Sequence, residues 1–316
     1  MQYRLNEIMG ETTYDADTTV VINIDQSDPI SELDIVLATR GTANGSMTLH
    51  PTACLTKIEL MDGSTPLVSL TGLQAEAIDW YTHKAFRTSG WNMAITDNYM
   101  LRHIGINFGR YLWDERFAFD PKKYSNPQLK LSLDIDRGGL MVDSNKLQVL
   151  AASFDKKQIS PVGFLSCIDV ADKPLAASSH IYYDLPTDFT LRRLFYRLQR
   201  AGVEPCQLWA NFKLGENGYK VNPFNLTNEE IAGLIMAEYP EVKEEYLYTI
   251  GTANRYLMVA PSARVMAFAA PWAQSAVANT ISLYDGDGGR LKTISSSDVN
   301  ANVAVKGVYP HCMLAI

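Results

Sequence analysis

One stretch of this chain occurs twice, and that limits the fold more than any other feature. Residues Lys57–Ala85 read KIELMDGSTPLVSLTGLQAEAIDWYTHKA, and 156 positions later (213 − 57 = 156) comes KLGENGYKVNPFNLTNEEIAGLIMAEYPE. Each copy spells a short strand, a Gly-centred turn, a second short strand and a helix start. Thr71 is followed three residues on by Gln74, and Thr227 by Glu230. In each pair the Thr accepts from a first-turn N–H while the Gln or Glu reaches back to the cap, which is a capping box. The echo continues downstream. Thr96, Asn98 and Leu101 match Thr252, Asn254 and Leu257, LSLDIDRGG at Leu131–Gly139 matches ISLYDGDGG at Ile281–Gly289 at an offset of 150, and the apolar runs Lys146–Ser153 and Asn302–Tyr309 return to 156. Self-similarity at one period over half the chain implies two copies of one domain. We place the first at residues 1–155 and a connector plus the second copy at residues 156–316.

Within each copy the periodicity is mostly that of strands. Val20, Ile22 and Ile24 alternate with polar neighbours, as do Leu33, Ile35 and Leu37, then Ile58 and Leu60, and most clearly Leu129, Leu131, Leu133 and Ile135. Turn signals stand between them at Asp28-Pro29, Asn44-Gly45, Asp62-Gly63 and Gly138-Gly139. Tyr99–Phe108 is a further strand candidate, followed by an aromatic-rich excursion over Gly109–Tyr124. In the second half, strands are expected up to Leu214 and near Arg255–Val259, Arg264–Phe268, Asn279–Tyr284 and Asn302–Tyr309, with a helix from Asn228. One segment is ambiguous: Leu191, Leu194, Phe195 and Leu198 have helical spacing, yet their repeat counterpart, Leu33–Thr39, is a strand, and we read a strand. About eight short strands per half, with the principal helix between the fifth and sixth, predict an all-β chain. The expected architecture is two tandem eight-stranded antiparallel jelly rolls, which pair most strand edges.

The charge balance and the cysteines narrow the partners. A net charge of −7 and a single basic residue, Arg4, in the first ten give no Lys/Arg arm with which to neutralise phosphates. No direct sequence-specific nucleic-acid binding is expected. The cluster Arg192, Arg193, Arg197 and Arg200 reads as a solvated face or a subunit contact. Neither a secretory signal nor an apolar run of bilayer-spanning length is recognised. Cys54, Cys167, Cys206 and Cys312 are widely spaced and are expected to be reduced thiols.

Nothing in the sequence assembles a local catalytic, cofactor or metal site, and we assign none. His50, His83, His103, His180 and His311 stand apart, with no His-x-His or His-x-Asp pair of the kind that ligates metals in jelly-roll enzymes. Asp134 and Asp136 share a strand face and so resemble a glycosidase pair, but a solvated face opposite four apolar residues looks the same. The DGDGG string at Asp285–Gly289 begins like a Ca²⁺ loop, but Ser296 stands where the closing carboxylate belongs. A hairpin turn is the better reading.

In architecture, and in the segments ISELDIVL, KIELMDGSTPLVSLTGLQAEAIDWY and NPQLKLSLDID, the chain resembles the double-jelly-roll major capsid proteins of tailless icosahedral viruses. It is most similar to those of internal-membrane-containing bacteriophages, including the lipid-containing phages of Flavobacterium. That resemblance implies a coat protein without catalytic residues or cofactors. It implies a homotrimer that fills a hexagonal site, contacts to neighbouring capsomers and to minor or penton capsid proteins, and a viral membrane beneath. It also implies assembly in the host cytoplasm into a virion capsid, with inter-strand loops such as Thr42–Pro51 forming low outer towers. Trp91, Trp113 and Trp272 are candidates for an apolar trimer contact, with core packing the ordinary alternative for each. The competing class is a secreted two-domain β-sandwich that binds carbohydrate or cleaves glycosides; a minor vertex protein of the same kind of virion is a third.

Overall fold

The structure is a computed structural model. It describes residues 3–40, 50–85, 87, 92–94, 99–137, 144–155, 158–174, 176–197 and 210–239, and beyond them the backbone of strands lying between residues 243 and 315. The first half runs β1 (Tyr3–Tyr14), β2 (Thr18–Asn23), β3 (Ile30–Arg40), β4 (Leu55–Asp62), β5 (Thr65–Leu70), α1 (Gly72–His83), β6 (Asn92–Ala94), β7 (Tyr99–Asn107), β8 (Pro127–Leu133) and β9 (Asn145–Phe154). Eight of these strands form two four-stranded antiparallel sheets, in the orders β1-β9-β3-β7 and β2-β8-β4-β5. That is the strand order of a jelly roll. Within the roll β7 is the sixth strand, so α1 falls between the fifth and sixth as the sequence predicts.

The alternating residues meet between the two sheets. Leu33, Ile35 and Leu37 lie opposite Ile106, Ile104 and Leu147 or their neighbours in one sheet, while Ile58 and Leu60 lie opposite Leu131 and Leu129 in the other. All are buried and belong to one continuous core. Each such aliphatic side chain stabilises the fold by roughly 1.5–3 kcal/mol relative to an exposed one. Two details differ from the sequence reading. β1 was not anticipated, because its mixed run YRLNEIMGETTY lacks clean alternation, and its pairing with β9 carries two register irregularities. β8 ends at Leu133, so Asp134 and Asp136 lie in the turn beyond it and not on the strand.

The second half contains β10 (Phe195–Arg197), β11 (Asn211–Glu216), β12 (Val221–Thr227), α2 (Asn228–Glu238), β13 (Lys243–Ile250), β14 (Asn254–Pro261), β15 (Met266–Pro271), β16 (Ile281–Tyr284), β17 (Arg290–Ile294), β18 (Val303–Lys306) and β19 (Met313–Ala315). The hairpin and helix of the repeat recur at the expected offset, with one change. In the first copy Ile58 pairs with Leu70 and Asp62 with Thr65, whereas in the second Phe212 pairs with Leu226 and Glu216 with Val221. The second turn is two residues longer, and the pairing slips by two. An even slip leaves every side chain on its original face, so the pattern survives the change of register.

Among the described residues the second half does not reproduce two four-stranded sheets. Its largest sheet is β18-β15-β14-β13-β6, and β6 comes from the first half, pairing in parallel with β13 through Asn92 and Tyr246. The counterparts of β1 are also missing from their place. Residues 159–170, at the repeat offset from β1, lie instead along the first roll. Gly163 bridges Phe117 in parallel, Ile168 bridges Ser69 in parallel, and Ser69 N–H donates to the Cys167 carbonyl while its own carbonyl accepts from Asp169 N–H. β5 is an edge strand, and this strap covers part of its open backbone. The β10 reading as a strand holds for Phe195–Arg197, which pairs with β19; residues 198–209 lie outside the described set.

Candidate functional site

α1 organises the polar chemistry of the first roll. Its start is the expected capping box, with Gln74 N–H donating to Thr71 Oγ1 at 3.3 Å and Thr71 N–H to Gln74 Oε1 at 2.8 Å. The cap lies so close to the short turn at Pro51–Cys54 that a Cβ on Gly72 would stand 2.1 Å from the Thr52 carbonyl oxygen, so only glycine fits. One face of the helix then buries two carboxylates. Glu76 meets Arg102 of β7, whose Nη1 donates to Oε1 at 3.1 Å, and His50 Nδ1 lies 3.5 Å from Oε2 and 2.7 Å from the Thr52 hydroxyl. Arg102 is fully buried. A charge that far from water persists only when paired.

Asp79, one turn further on, serves a second network on the outer side of the β1-β9-β3-β7 sheet. Arg87 Nε donates to Asp79 Oδ2 at 2.9 Å, and its guanidinium also forks onto the Glu32 carboxylate of β3. Asn107 donates to Asp79 Oδ1 at 2.8 Å, His83 Nδ1 lies 3.0 Å from the same oxygen, and His103 Nδ1 lies 2.8 Å from Asp34 Oδ2. Hydrogen bonding to Asp79 raises the His83 pKa above its ordinary value, and hydrogen bonding to Asp34 does the same for His103. A Cβ on Gly105 would come within 2.5 Å of Asp79 Oδ1 and 2.7 Å of an Arg87 nitrogen, which is why β7 carries glycine under the clamp. Three carboxylates, one guanidinium and two imidazoles thus fasten the end of α1 and the start of the next connection to the sheet. Each group is engaged by a neighbour of opposite charge, an arrangement for holding elements together.

Asp17, Asp134 and Asp136 form the one cluster among the described residues with metal-ligand spacing, their oxygens within 4.8 Å of one another. Asp17 Oδ1 already accepts from Ile135 N–H at 2.9 Å and so pins the turn after β8. Partial burial, together with a hydrogen bond shared with Asp136, raises the Asp134 pKa. Asp134 and Asp136 sit on one turn and do not face each other across a cleft that would seat a sugar. Their arrangement is that of a solvated turn.

The two halves meet where the repeat helices end. Tyr81 and Trp80 of α1 pack against Tyr239, the first residue after α2, with Tyr81 and Tyr239 edge to face at 5.0 Å and Trp80 at 6.0 Å. Phe195 of β10 closes on Tyr81 at 5.7 Å. Lys84, in the left-handed conformation that ends α1, donates to the Glu238 carbonyl at 3.0 Å and places its ammonium 4.8 Å above the Tyr239 ring.

Other residues singled out from the sequence fall as follows. Trp113 stacks 4.3 Å from Tyr3 and edge-on to Phe154, its backbone N–H donates to Ser31 Oγ, and it is half-buried, so part of its ring packs within the chain. Cys54 is a buried free thiol whose pKa is pushed up to about 12 by burial, and burial pushes free Cys167 to about 11. His180 is exposed. Trp91, Trp272, His311, Cys206, Cys312, Arg200, Gly138-Gly139, residues 42–49 of the Thr42–Pro51 loop and the DGDGG string lie outside the described residues. The two buried networks were not foreseen. Glu32 and Asp34 alternate with Leu33 and Ile35 exactly as a solvated strand face would, and only the tertiary cover supplied by Arg87 distinguishes the two cases.

No protein-family model matches the chain, and no curated protein does. Solved structures do. The chain is similar to the crystal structure of the major capsid protein of STIV, at 14% identity and a TM-score of 0.53, over 76% of this chain and 81% of that one. It is also similar to the chain in an atomic structure of Sulfolobus Turreted Icosahedral Virus, at 14% identity and a TM-score of 0.38, over 48% of this chain and 45% of that one. A third similarity is to PBCV-1 VP54 as fitted into the virophage Sputnik, at 14% identity and a TM-score of 0.35, over 49% and 43%. The likeness to the STIV protein is one of fold, and it extends beyond the first half of the chain.

Proposed function

We propose that this chain is the major capsid protein of a tailless icosahedral, internal-membrane-containing bacteriophage, a structural protein and not an enzyme. The observation that carries the reading is the jelly-roll strand order of the first half, combined with a fold likeness to the STIV capsid protein that spans three-quarters of the chain. Residues 1–155 are the first roll, and residues 156–316 are the connector and the second. Three chains bring six rolls together and fill a pseudo-hexagonal site in a virion shell. Neighbouring capsomers, minor or penton proteins and the underlying membrane are the remaining partners, and the genome is not gripped directly. The seam of Trp80, Tyr81 and Tyr239 supports the reading, because a coat subunit needs its two rolls held at a fixed relation.

Negative-stain imaging of the purified protein, with its mass measured in parallel, tests this. A three-fold particle of six lobes, at three times the 35.2 kDa chain mass, is expected. A two-lobed single chain would refute it.

A further inference from the structure

Between the strap along β5 and the start of β10 the chain does what it does nowhere else among the described residues: it runs a long way through water without forming a helix or a strand. From Ala171 to Arg192 every described residue except Leu185 is exposed. Among the described residues no backbone–backbone hydrogen bond ties this stretch to either half. Its own bonds are local, with the Ser179 hydroxyl donating to the Ala176 carbonyl and the Tyr183 hydroxyl to the Val170 carbonyl, each at 2.6 Å. Tyr182 is 70% exposed and meets the Tyr219 ring edge-on at 6.5 Å, Phe189 is 89% exposed, and Tyr183 is exposed as well. Both ends of the stretch are anchored, upstream by Asp169 N–H on the Ser69 carbonyl and downstream by Phe195 of β10 against Tyr81.

An exposed, unbonded segment between fixed points is where an endoprotease can seat several successive residues without unfolding anything. The other exposed aromatic residues among those described are held by their backbones. Tyr99 lies in β7, the Tyr111 carbonyl accepts from Asp114 N–H at 3.2 Å in a tight turn, and Tyr219 stands at a φ of 64° in the turn across which Glu216 pairs with Val221.

We propose that the connector is a proteolytic processing site, cut after Tyr182, Tyr183 or Phe189 by an endoprotease that takes an aromatic residue on the acyl side of the bond. A protease that cuts after basic residues is the poorer fit. Lys173 is followed by Pro174, which lacks an N–H and restrains the residue before it, and Arg193 is already half-buried two residues before β10. Each cut consumes one water. Its hydroxyl goes to the carbonyl carbon of the aromatic residue as the C–N bond breaks, and its remaining hydrogen goes to the nitrogen of the next residue, which leaves as an amine.

The cut spares every described contact between the halves. The strap stays with the first half and β10 with the second, while the contacts of Trp80, Tyr81 and Lys84 with residues 238–239, and of β6 with β13, lie outside the connector. What is lost is the tether. In the continuous chain, separated halves rejoin as an intramolecular event at high effective concentration; after the cut they must meet by diffusion. The processed protein therefore keeps its shape but does not rebuild it once taken apart, which makes its assembly one-way. This role does not depend on the coat reading.

Brief digestion of the full chain with chymotrypsin, with the first products identified by mass spectrometry, tests the proposal. Cutting after Tyr183 gives fragments of 183 and 133 residues (316 − 183 = 133). The first cut is expected after Tyr182, Tyr183 or Phe189, with the native mass unchanged on size-exclusion chromatography. Urea below the unfolding transition should not speed this cut, because the segment is already open, whereas it would speed one that needs local opening. Tyr182→Ser, Tyr183→Ser and Phe189→Ser together should remove the cut, with a circular dichroism melt matching the parent's to show that the variant is folded. After full unfolding and dilution from urea, the intact chain should regain its native mass at a concentration at which the cut one does not. Resistance of the native protein, a first cut elsewhere, or faster first cutting by trypsin would overturn the site. Fragments that part in native buffer, or a cut protein that refolds as fully as the intact one, would overturn the one-way role. The mass of the undigested sample separates this proposal from the coat reading. A three-chain particle that resists chymotrypsin refutes the processing site alone, and a single chain cut in the connector refutes the coat reading alone.

Discussion

Replacing Arg102 by methionine should damage this fold more than any surface substitution. The Arg102 guanidinium has no exposure, and its partner Glu76 is 3% exposed on the inner face of α1. Arg102→Met keeps the volume and removes the charge, so the Glu76 carboxylate is left in a medium where an uncompensated charge costs about 3–5 kcal/mol. At roughly 2–4 °C per kcal/mol for a unit of this size, the melting temperature should fall by about 6–20 °C. The double variant Arg102→Met, Glu76→Leu removes both charges and should recover most of the loss, because a buried pair contributes little over a well-packed apolar replacement. Urea unfolding of the single and double variants, followed by tryptophan fluorescence, measures both. As a reference, Lys57→Ala at the exposed Lys57–Glu59 pair should cost no more than about 1 kcal/mol. If Arg102→Met behaves like that reference, or if the double variant is worse than the single, the buried pair does not hold α1 against β7 and the reasoning fails.

Other consequences are open to direct measurement. His83 and His103 both have folded pKa values above the ordinary histidine value of about 6.5, so their contribution to stability is full below that value and lost as pH rises through the folded pKa. Denaturant midpoints between pH 5.5 and 8.5 should decline with pH, and His83→Gln with His103→Gln should flatten the decline. Gly72→Ala drives a methyl group into the Thr52 carbonyl and should lower the melting temperature well beyond the ~1 kcal/mol expected for Gly63→Ala, where φ is +59° but nothing stands in the way. Trp113→Ala should cost about 3–5 kcal/mol by emptying the space between Tyr3 and Phe154, and size-exclusion chromatography below the melting point should show the oligomeric mass unchanged.

Periodicity carried the first roll because its strands are half-buried. Ile58, Leu60, Leu129 and Leu131 announce both a strand and the face that is inward. Both helices were legible for a different reason, since a capping box is a local device that needs no tertiary information. The parts that escaped depend on distant chain. β1 is recognised only by its partner β9, and the burial of Glu32, Glu76, Asp79 and Arg102 is invisible in a pattern that equates charge with solvent. The repeat also promised more symmetry than the fold delivers, because the register at residues 159–170 says β1 while their hydrogen bonds go to Phe108, Arg116 and Ser69.

The exchange of segments between the halves has a consequence for synthesis. When the ribosome has released the first 155 residues, all eight strands of the first roll exist, but the backbone of Ser69 is still unpaired, waiting for Cys167 and Asp169. β6 is likewise finished long before its partner β13 is made. The nascent chain therefore passes through an interval in which two strand edges are open and each half holds a piece of the other's sheet. Release at residue 155 should yield a product that self-associates through β5, whereas release after residue 174 should yield one in which that edge is closed. The two halves therefore mature as a single interlocked unit whose assembly has a fixed direction.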